Sequence, residues 1–165
     1  MKNELPYCKT SEAIIGYEQS ELAKSERNDC VVRALASAYD LPYETAHSFV
    51  SKRFSRKNRQ GTRSFGLKMN TIGEKGEPIN GKVLKIIGEK YTFGYTLSYK
   101  VKVKGCLEKR RMTVGTFTKQ NQKGTYIMMV RGHAFTIKDG VVIGNQSDAK
   151  KLKTVVIQAW QVINK

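Results

Sequence analysis

Residues 28–39 read NDCVVRALASAY, and this stretch decides the fold. Its apolar side chains recur at the i, i+3, i+4 and i+7 spacing that lines one face of a helix, at Val31, Ala34, Leu35 and Ala38. Asn28 and Asp29 are residue types that commonly precede the first turn of a helix. We therefore predict a helix from Cys30 to about Tyr39.

Further helices are predicted on either side of this one. The segment 11–24 has a helix-forming composition, with Ser11 as its N-cap. After a break at residues 40–42, Pro42 suits the opening of another helix, whose apolar side would carry Ala46, Phe49 and Val50. The stretch 55–82 is rich in Gly, Asn and Lys and predicts mostly loop.

The rest of the chain predicts strands. Every odd position from Tyr91 to Val103 is apolar, which is the period of a half-buried strand. Because so long a strand is unusual, we expect a bend or bulge near Gly94. Residues 126–130 are apolar on both faces, which indicates a central strand. A short helix is predicted over 113–119 and a closing strand over 154–163.

A hairpin is predicted around Asp139-Gly140, between strands at 133–138 and 141–145. Because helices come first and strands later, the order favours an α+β fold with N-terminal helices packed on an antiparallel β-sheet. The chain has 165 residues, no internal repeat and no Pro- or Ser-rich linker, so we interpret residues 1–165 as a single domain.

Composition excludes several classes of protein. With 39% hydrophobic and 27% charged residues, the chain is neither collagen-like nor wholly disordered. Its longest apolar run, residues 126–130, is far shorter than the roughly 20 residues that span a bilayer, and residues 1–6 lack the features of a secretory signal. We expect a cytoplasmic protein with no membrane partner. Its cysteines, Cys8, Cys30 and Cys106, are then expected to be free thiols.

Charge is a strong compositional signal. The 30 Lys and Arg against 14 Asp and Glu give a formal net charge of +16, and the excess lies after residue 50. The densest part is a basic loop at about 51–68, whose candidate anion- or partner-binding residues are Lys52, Arg53, Arg56, Lys57, Arg59 and Arg63. This loop would hold phosphates or an acidic protein surface. The alternative is a solvated, mobile loop whose charge only aids solubility.

Cys30 differs from the other cysteines in its position. In the first turn of a predicted helix, unpaired amides and the helix dipole favour an anion, and a nearby imidazole would lower the pKa of the thiol further. Of the two histidines, His133 is the better candidate base, because it begins a strand at a sheet edge. His47 is predicted on a helix surface, and Cys8 and Cys106 are interpreted as structural.

A third group is needed to orient the imidazole. If the hairpin turn has three residues, 138–140, Asn145 lies opposite His133 and shares its face. If the turn has two residues, the register moves by one and Gln146 opposes His133 instead. Asn145 is favoured, with Gln146 and Asp148 as alternatives.

The oxyanion formed in acyl transfer needs two donors. These would be the backbone amide of Cys30 and the side chain of Asn28.

Two other chemistries are excluded. Residues 76–82 fit a phosphate-binding loop, but Val83 replaces the hydroxyl residue that would hold Mg²⁺, so no nucleotide is expected. The cysteines and histidines lack the short paired spacing of a zinc site, so no metal or other cofactor is expected.

Two segments resemble a known superfamily. NDCVVRALA at 28–36, followed by LPYETA at 41–46, resembles the Cys-helix segment of the papain-like cysteine peptidases, above all small members from phages and mobile elements. GTYIMMVRGHAFTIKDGVVIGN at 124–145 resembles the His strand and the Asn/Asp hairpin of that superfamily. Residues 29–34 are also similar to the Cys motif of ovarian-tumour-type deubiquitinases.

The resemblance implies a papain-like fold with Cys30 as nucleophile, His133 as general base and Asn145 as orienter. The superfamily often places an oxyanion-hole Gln shortly before the Cys, whereas Gln19 lies well upstream here. The leading hypothesis is a thiol-dependent peptidase, isopeptidase or deamidase that acts on a protein substrate, in the host cytoplasm if phage-encoded. The alternative is a catalytically inactive papain-like phage protein whose basic surface binds nucleic acid or an acidic host protein.

Overall fold

The computed structural model describes residues 3–92 and 94–165. The helices within these ranges are α1 (Thr10–Ala13), α2 (Glu21–Ser25), α3 (Cys30–Tyr39), α4 (Tyr43–Arg53), α5 (Phe65–Lys75), α6 (Val114–Gln120) and α7 (Gln146–Ala149). The strands are β1 (Tyr7–Cys8), β2 (Lys82–Ile87), β3 (Glu89–Tyr91), β4 (Gly94–Thr96), β5 (Ser98–Val103), β6 (Cys106–Arg111), β7 (Thr125–Val130), β8 (His133–Lys138), β9 (Val141–Ile143) and β10 (Gln158–Asn164). None of the helices in the described residues is long and apolar enough to cross a bilayer.

Six strands form one sheet in the order β1-β9-β8-β7-β10-β2. Neighbouring strands are antiparallel except at one edge, where β1 lies parallel to β9 and Tyr7 is opposite Val142. The prediction of an antiparallel sheet was therefore wrong at this edge, because the chain lays β1 against β9 before it enters the helices. The described residues have a mixed α and β fold with a mixed sheet. The remaining strands form two separate hairpins, β3-β4 and β5-β6.

The helix predicted from Cys30 is confirmed as α3. Eight of its ten residues are buried, so it is enclosed on nearly all sides. It packs on β8, where Thr136 Oγ1 donates a hydrogen bond of 2.7 Å to the Ala34 carbonyl. It ends at Asp40, which has a left-handed conformation with φ of +54°. The next helix, α4, begins directly after Pro42, as predicted.

The sheet separates two apolar cores. Alternate residues of a strand point to opposite faces, so Ile127 of β7 joins one core and Met128 joins the other. The first core lies between the sheet and α3, α4 and α5, and it contains the fully buried Trp160. The second core lies on the opposite face, where Phe117 of α6 meets Tyr126 edge-on with ring centroids 5.1 Å apart. The packing of α3 on β8 sets the N-terminus of α3 near the first residues of that strand.

The single helix predicted over 11–24 was wrong. Two short helices, α1 and α2, occupy parts of this segment. Ile14 has an extended conformation with ψ of 126°, and Gly16 has φ of +73°, so the first helix cannot continue. Ser20 starts the second one, because its hydroxyl accepts a 3.1 Å hydrogen bond from the amide of Ala23.

The prediction of mostly loop over 55–82 holds for residues 55–64 and 76–81, but it missed α5, which lies between them. Gly66 and Gly73 are two of the glycines that contributed to this prediction, yet both are helical. A Cβ on Gly66 would meet Gln158 Nε2 at 2.8 Å, and a Cβ on Gly73 would meet Ile86 Cγ1 at 2.7 Å. These glycines therefore permit the close approach of α5 to β10 and β2.

The long strand predicted from Tyr91 to Val103 is three strands. The chain reverses after β3, so that Tyr91 pairs with Gly94, and β5 then pairs with β6. The bend expected near Gly94 is thus a full hairpin, and Phe93, which the predicted strand included, lies outside the described residues. The short helix at 113–119 and the central strand at 126–130 are confirmed as α6 and β7, while the closing strand β10 begins later than predicted.

Candidate active site

A cleft of about 460 Å³ opens where α3 begins. One wall is formed by the start of α3, including Cys30 and Arg33, and another by the start of β8, including His133. The segment between β9 and α7 contributes Asp148, and the loop before α5 contributes Gly61. The sequence placed Cys30 and His133 at such a site, and the structure brings them together.

The Cys30 thiol is half-buried in the wall of this cleft, beside His133 and Ala134. Burial disfavours the thiolate, but hydrogen bonds from the His133 ring and from the backbone amide of Ala134 outweigh it, with the positive charge of His133 and the amide of Val31 adding to them. The pKa of Cys30 is therefore held below the ordinary value of a thiol. The packing of α3 on β8 creates this environment, because it sets the first turn of the helix against the first residues of the strand.

His133 lies between the thiol and a carboxylate. Its Nε2 is 2.8 Å from Oδ1 of Asp148, which leaves Nδ1 as the ring nitrogen available to Cys30. At this distance the two groups form an ion pair when the ring is protonated. Asp148 and then Cys30 outweigh the burial of the ring and raise the pKa of His133 to about 9. The ring also stacks on Phe135, with centroids 5.9 Å apart.

Asp148 is fixed from several sides. Its side chain is 5% exposed, its Oδ2 accepts a 3.2 Å hydrogen bond from the amide of Asn145, and Lys151 Nζ lies 3.2 Å from Oδ1. Burial raises the pKa of this carboxyl, but His133, followed by the Asn145 amide and Lys151, lowers it below its ordinary value. A Cβ at Gly144 would collide with Asp148 Oδ2, so only glycine lets the carboxylate occupy this place.

Asn145, predicted as the orienter, is placed differently. The hairpin turn has two residues, Asp139 and Gly140, because Lys138 pairs with Val141, and the preferred three-residue turn was wrong. The strand β9 ends before Asn145, whose Oδ1 instead accepts a 2.9 Å hydrogen bond from the Asp148 amide and caps α7. Asn145 still lines the cleft, but its side chain is committed to the helix start.

The alternative Gln146 does not face His133 either, since its side-chain amide donates to Glu4 at 3.3 Å. The sequence held a signal for Asp148 that the strand register hid. Asn at one position followed by an acid three residues later is the pattern of a capping box, and Asn145 and Asp148 form one. That motif predicts a turn of helix after β9, and with it a carboxylate near the end of the sheet where β8 begins.

Asn28, the predicted second oxyanion donor, lines the cleft. Its side-chain amide donates a 3.2 Å hydrogen bond to the carbonyl of Arg59, so part of its donor capacity is used. The adjacent Asp29 precedes α3 but does not cap it with its side chain. Its carboxylate instead accepts from Arg33 Nε at 3.0 Å and from the Tyr43 hydroxyl at 2.7 Å. The oxyanion role of Asn28 stays a prediction.

The prediction that His47 lies on a helix surface was wrong. His47 is buried, and its Nε2 lies 2.9 Å from Oε2 of Glu26. The same oxygen accepts a 2.6 Å hydrogen bond from Arg56 Nη1, and both of these side chains are fully enclosed. Burial disfavours the charge on Glu26, but the bonds from Arg56 and His47 outweigh it and lower the pKa of the carboxyl. The segment before Cys30 is thereby tied to the loop before α5.

The basic loop is therefore only partly available to a partner. Arg56 is buried against Glu26, and Arg53 forms a two-point ion pair with Glu77, so neither guanidinium is free to bind an external anion. Lys52, Lys57, Arg59 and Arg63 are exposed. The segment is also not one loop, because its first residues end α4 and its last residues begin α5.

The other two cysteines lie away from this site. Cys8 is half-buried in β1 and Cys106 is exposed in β6, and neither lines the cleft that contains Cys30 and His133. In the same residues, no three His, Cys, Asp or Glu side chains are grouped in a way that could hold a metal ion. No protein-family model, curated protein or solved structure matches this chain.

Proposed function

We propose that this protein is a papain-like thiol hydrolase that cleaves an amide bond of a protein substrate, as a peptidase, an isopeptidase or a glutamine deamidase. The observation that carries the proposal is that Cys30, His133 and Asp148 line one cleft, with His133 Nε2 2.8 Å from Asp148 Oδ1. A nucleophile, a base and a group that orients the base are the three parts that acyl transfer requires. Helices that precede a sheet, with the cysteine at a helix start, agree with a papain-like arrangement.

The charge state of the resting site suits nucleophilic attack. The pKa of Cys30 is lowered and that of His133 is raised to about 9, so both shifts favour a thiolate beside an imidazolium. The thiolate is the nucleophilic form of cysteine. The site therefore needs no external base to generate it.

The first half of the reaction forms a thioester. The Cys30 sulfur attacks the carbonyl carbon of the substrate, and an electron pair moves to the carbonyl oxygen. The backbone amide of Cys30 lies in the first turn of α3, where amides have no acceptor within the helix, so it can donate to that oxyanion. As the intermediate collapses, the carbon–nitrogen bond breaks and His133 gives its proton to the leaving amine or ammonia.

The second half restores the enzyme. Neutral His133 takes a proton from a water molecule, whose oxygen attacks the thioester carbon. The carbon–sulfur bond then breaks, Cys30 leaves as the thiolate, and the carboxylic acid is released. Asp148 holds the ring in place through Nε2 and stabilises its positive charge before and after the reaction. The amide of Asn145 donates a hydrogen bond to Asp148, and Gly144 leaves room for its carboxylate.

The experiment compares the three cysteines of the intact protein. The protein is exposed to limiting iodoacetamide at neutral pH, and the label is mapped by mass spectrometry. Cys30 is expected to be alkylated faster than the more exposed Cys106, because the rate depends on the thiolate fraction. Release of peptides or ammonia from a mixture of denatured proteins is then measured for the wild type, Cys30→Ala and Cys106→Ala.

The proposal expects release by the wild type and by Cys106→Ala, and none by Cys30→Ala with an unchanged circular dichroism spectrum. Labelling of Cys106 in preference to Cys30 would contradict it. Equal release by Cys30→Ala and Cys106→Ala would contradict it as well.

A further inference from the structure

The hairpin β5-β6 stands apart from the six-stranded sheet and has two unlike faces. Among the residues that the structure describes, its strands pair only with each other, over six residue pairs from Ser98↔Arg111 to Val103↔Cys106. From Tyr99 onward the side chains of β5 alternate between half-buried (Tyr99, Val101, Val103) and exposed (Lys100, Lys102), and Ser98 is half-buried as well. Tyr99 packs against the second apolar core. The β5 strand therefore turns one face to the protein and the other to solvent, while all six residues of β6 are exposed.

The outward face is strongly basic. Residues directly opposite each other in an antiparallel pair share a face, so this face is built from the pairs Ser98↔Arg111, Lys100↔Lys109 and Lys102↔Leu107. It presents four cations, Lys100, Lys102, Lys109 and Arg111, and all of them are exposed. The one acid of the hairpin, Glu108, is on the other face, opposite Val101. Lys104 adds a further exposed charge at the turn.

This arrangement is unfavourable for the hairpin itself. Like charges directly opposite each other destabilise a strand pair, and Lys100 is opposite Lys109. The compensation within the protein is weak, because the nearest acid to Lys109 is Glu89 at 3.8 Å, and both of these side chains are more than half exposed. An external polyanion would relieve the repulsion.

We propose that the outward face of the β5-β6 hairpin binds double-stranded DNA through its phosphates. A two-stranded ribbon is an element that the major groove, about 12 Å wide, admits. Six residues per strand extend about 20 Å, so one ribbon reaches phosphates on both sides of the groove. Each neutralised phosphate releases condensed counterions, which drives binding without any base-specific contact.

The composition of this face favours a nucleic acid over an acidic protein. Protein interfaces have an apolar centre and are depleted in lysine. The outward face instead has lysines at its centre and one large apolar side chain, Leu107, which is 71% exposed. Duplex RNA fits less well, because its deep, narrow major groove does not admit side chains. This surface is separate from the basic loop at 51–68, where Arg53 and Arg56 are occupied by internal ion pairs.

The test measures binding of the full chain to a fluorescein-labelled 20-base-pair DNA duplex by anisotropy, between 50 and 200 mM NaCl. One variant neutralises the hairpin face with Lys100→Gln, Lys102→Gln, Lys109→Gln and Arg111→Gln. A matched variant removes the same charge elsewhere on the surface with Lys119→Gln, Lys123→Gln, Lys150→Gln and Lys153→Gln. A third neutralises the free cations of the loop with Lys52→Gln, Lys57→Gln, Arg59→Gln and Arg63→Gln.

The hairpin variant is expected to lose about tenfold or more in affinity at 100 mM NaCl, and its slope of log affinity against log salt should fall by about three to four. The matched variant should lose clearly less, and the melting temperature of the hairpin variant should be unchanged or higher. Equal losses in the hairpin and matched variants, or a loss confined to the loop variant, would overturn the proposal. So would a wild type that binds polyglutamate but not the duplex at 50 mM NaCl.

Discussion

His133 Nε2 lies 2.8 Å from Asp148 Oδ1, although Asn145 is the residue that the hairpin was predicted to set opposite this histidine. The difference arises at the end of β9. The chain turns into α7 after Ile143, Asn145 caps that helix, and the helix brings Asp148 back to the end of the sheet where β8 begins. The imidazole is therefore held by a charge and not by a neutral amide.

The identity of the orienting residue is tested by Asp148→Asn against Asn145→Ala. Asp148 is the largest cause of the raised pKa of His133, so Asp148→Asn should lower that pKa from about 9 towards the ordinary value of about 6.5. Asn145→Ala removes a helix cap and should cost about 1 kcal/mol of stability while the pKa of His133 stays high. An NMR titration of the His133 ring protons measures this pKa in both variants, and urea unfolding measures their stability. The opposite pattern, with the larger fall in Asn145→Ala, would restore Asn145 as the orienter.

Gly144 is predicted to be required for the position of the carboxylate. In Gly144→Ala the new methyl group collides with Asp148 Oδ2, so the carboxylate must move away from His133. We expect a loss of about 1 to 3 kcal/mol in the free energy of unfolding and slower alkylation of Cys30 at neutral pH. Gly61→Ala is the matched control, because Gly61 also lines the cleft but has open space where a Cβ would be. Equal effects of the two substitutions in urea unfolding and alkylation would contradict the steric argument.

The buried cluster before α3 is predicted to contribute strongly to stability. Arg56→Met leaves the Glu26 carboxylate enclosed without its guanidinium and should cost about 3 to 5 kcal/mol in the free energy of unfolding. Lys57→Met, at an exposed neighbouring position, should change it by less than about 0.5 kcal/mol. Urea unfolding at pH 7 compares the two variants. A loss in Arg56→Met no larger than in Lys57→Met would show that the cluster is not stabilising.

The same cluster should make stability depend on acid pH. The pKa of Glu26 is lowered in the folded protein, so its contribution is fully present above its ordinary pKa of 4.5 and is lost as the pH falls through the lowered folded value. Glu26→Gln should therefore lose less stability than the wild type between pH 5 and pH 3. Parallel unfolding curves for the two proteins over this range would contradict the assignment.

For the like-charge pair of the hairpin, one substitution is predicted to raise stability and to weaken DNA binding. Lys100→Glu converts the Lys100↔Lys109 repulsion into an attraction and should raise the free energy of unfolding by roughly 0.2 to 1 kcal/mol. The same change should weaken binding to duplex DNA. Thermal unfolding and anisotropy on one preparation measure both effects. If the variant is less stable than the wild type, the repulsion between Lys100 and Lys109 does not destabilise the fold.

Much of the fold could be predicted from local patterns. The period of α3 and the apolar run of β7 each have one physical interpretation, because both segments are buried. The patterns gave a wrong prediction where one residue type, glycine, occurs both in loops and at close contacts between a helix and a sheet. Gly66 and Gly73 suggested loop, but they are small residues at helix-to-sheet contacts, and only the approach of β10 and β2 explains them.

The site could be predicted in part. The positions of Cys30 at a helix start and His133 at a strand start could be predicted, because cap-type residues precede the helix and the strand has a clear apolar pattern. The third residue depended on a turn length, and a change of one residue decides which side chains share a face. The burial of His47 and Arg56 could not be predicted, because Glu26 reaches them only after α2, α4 and the loop before α5 are packed together.

The central claim is that the Cys30 thiol and the His133 ring stabilise each other's charge. The most direct measurement is the pH dependence of iodoacetamide alkylation of Cys30, in a chain that carries Cys8→Ser and Cys106→Ser, with and without His133→Ala. The midpoint should lie below that of an ordinary thiol in the parent chain. It should move upward in His133→Ala, because burial of the thiol then acts without its main opposing contact. The same midpoint in both chains would contradict the account.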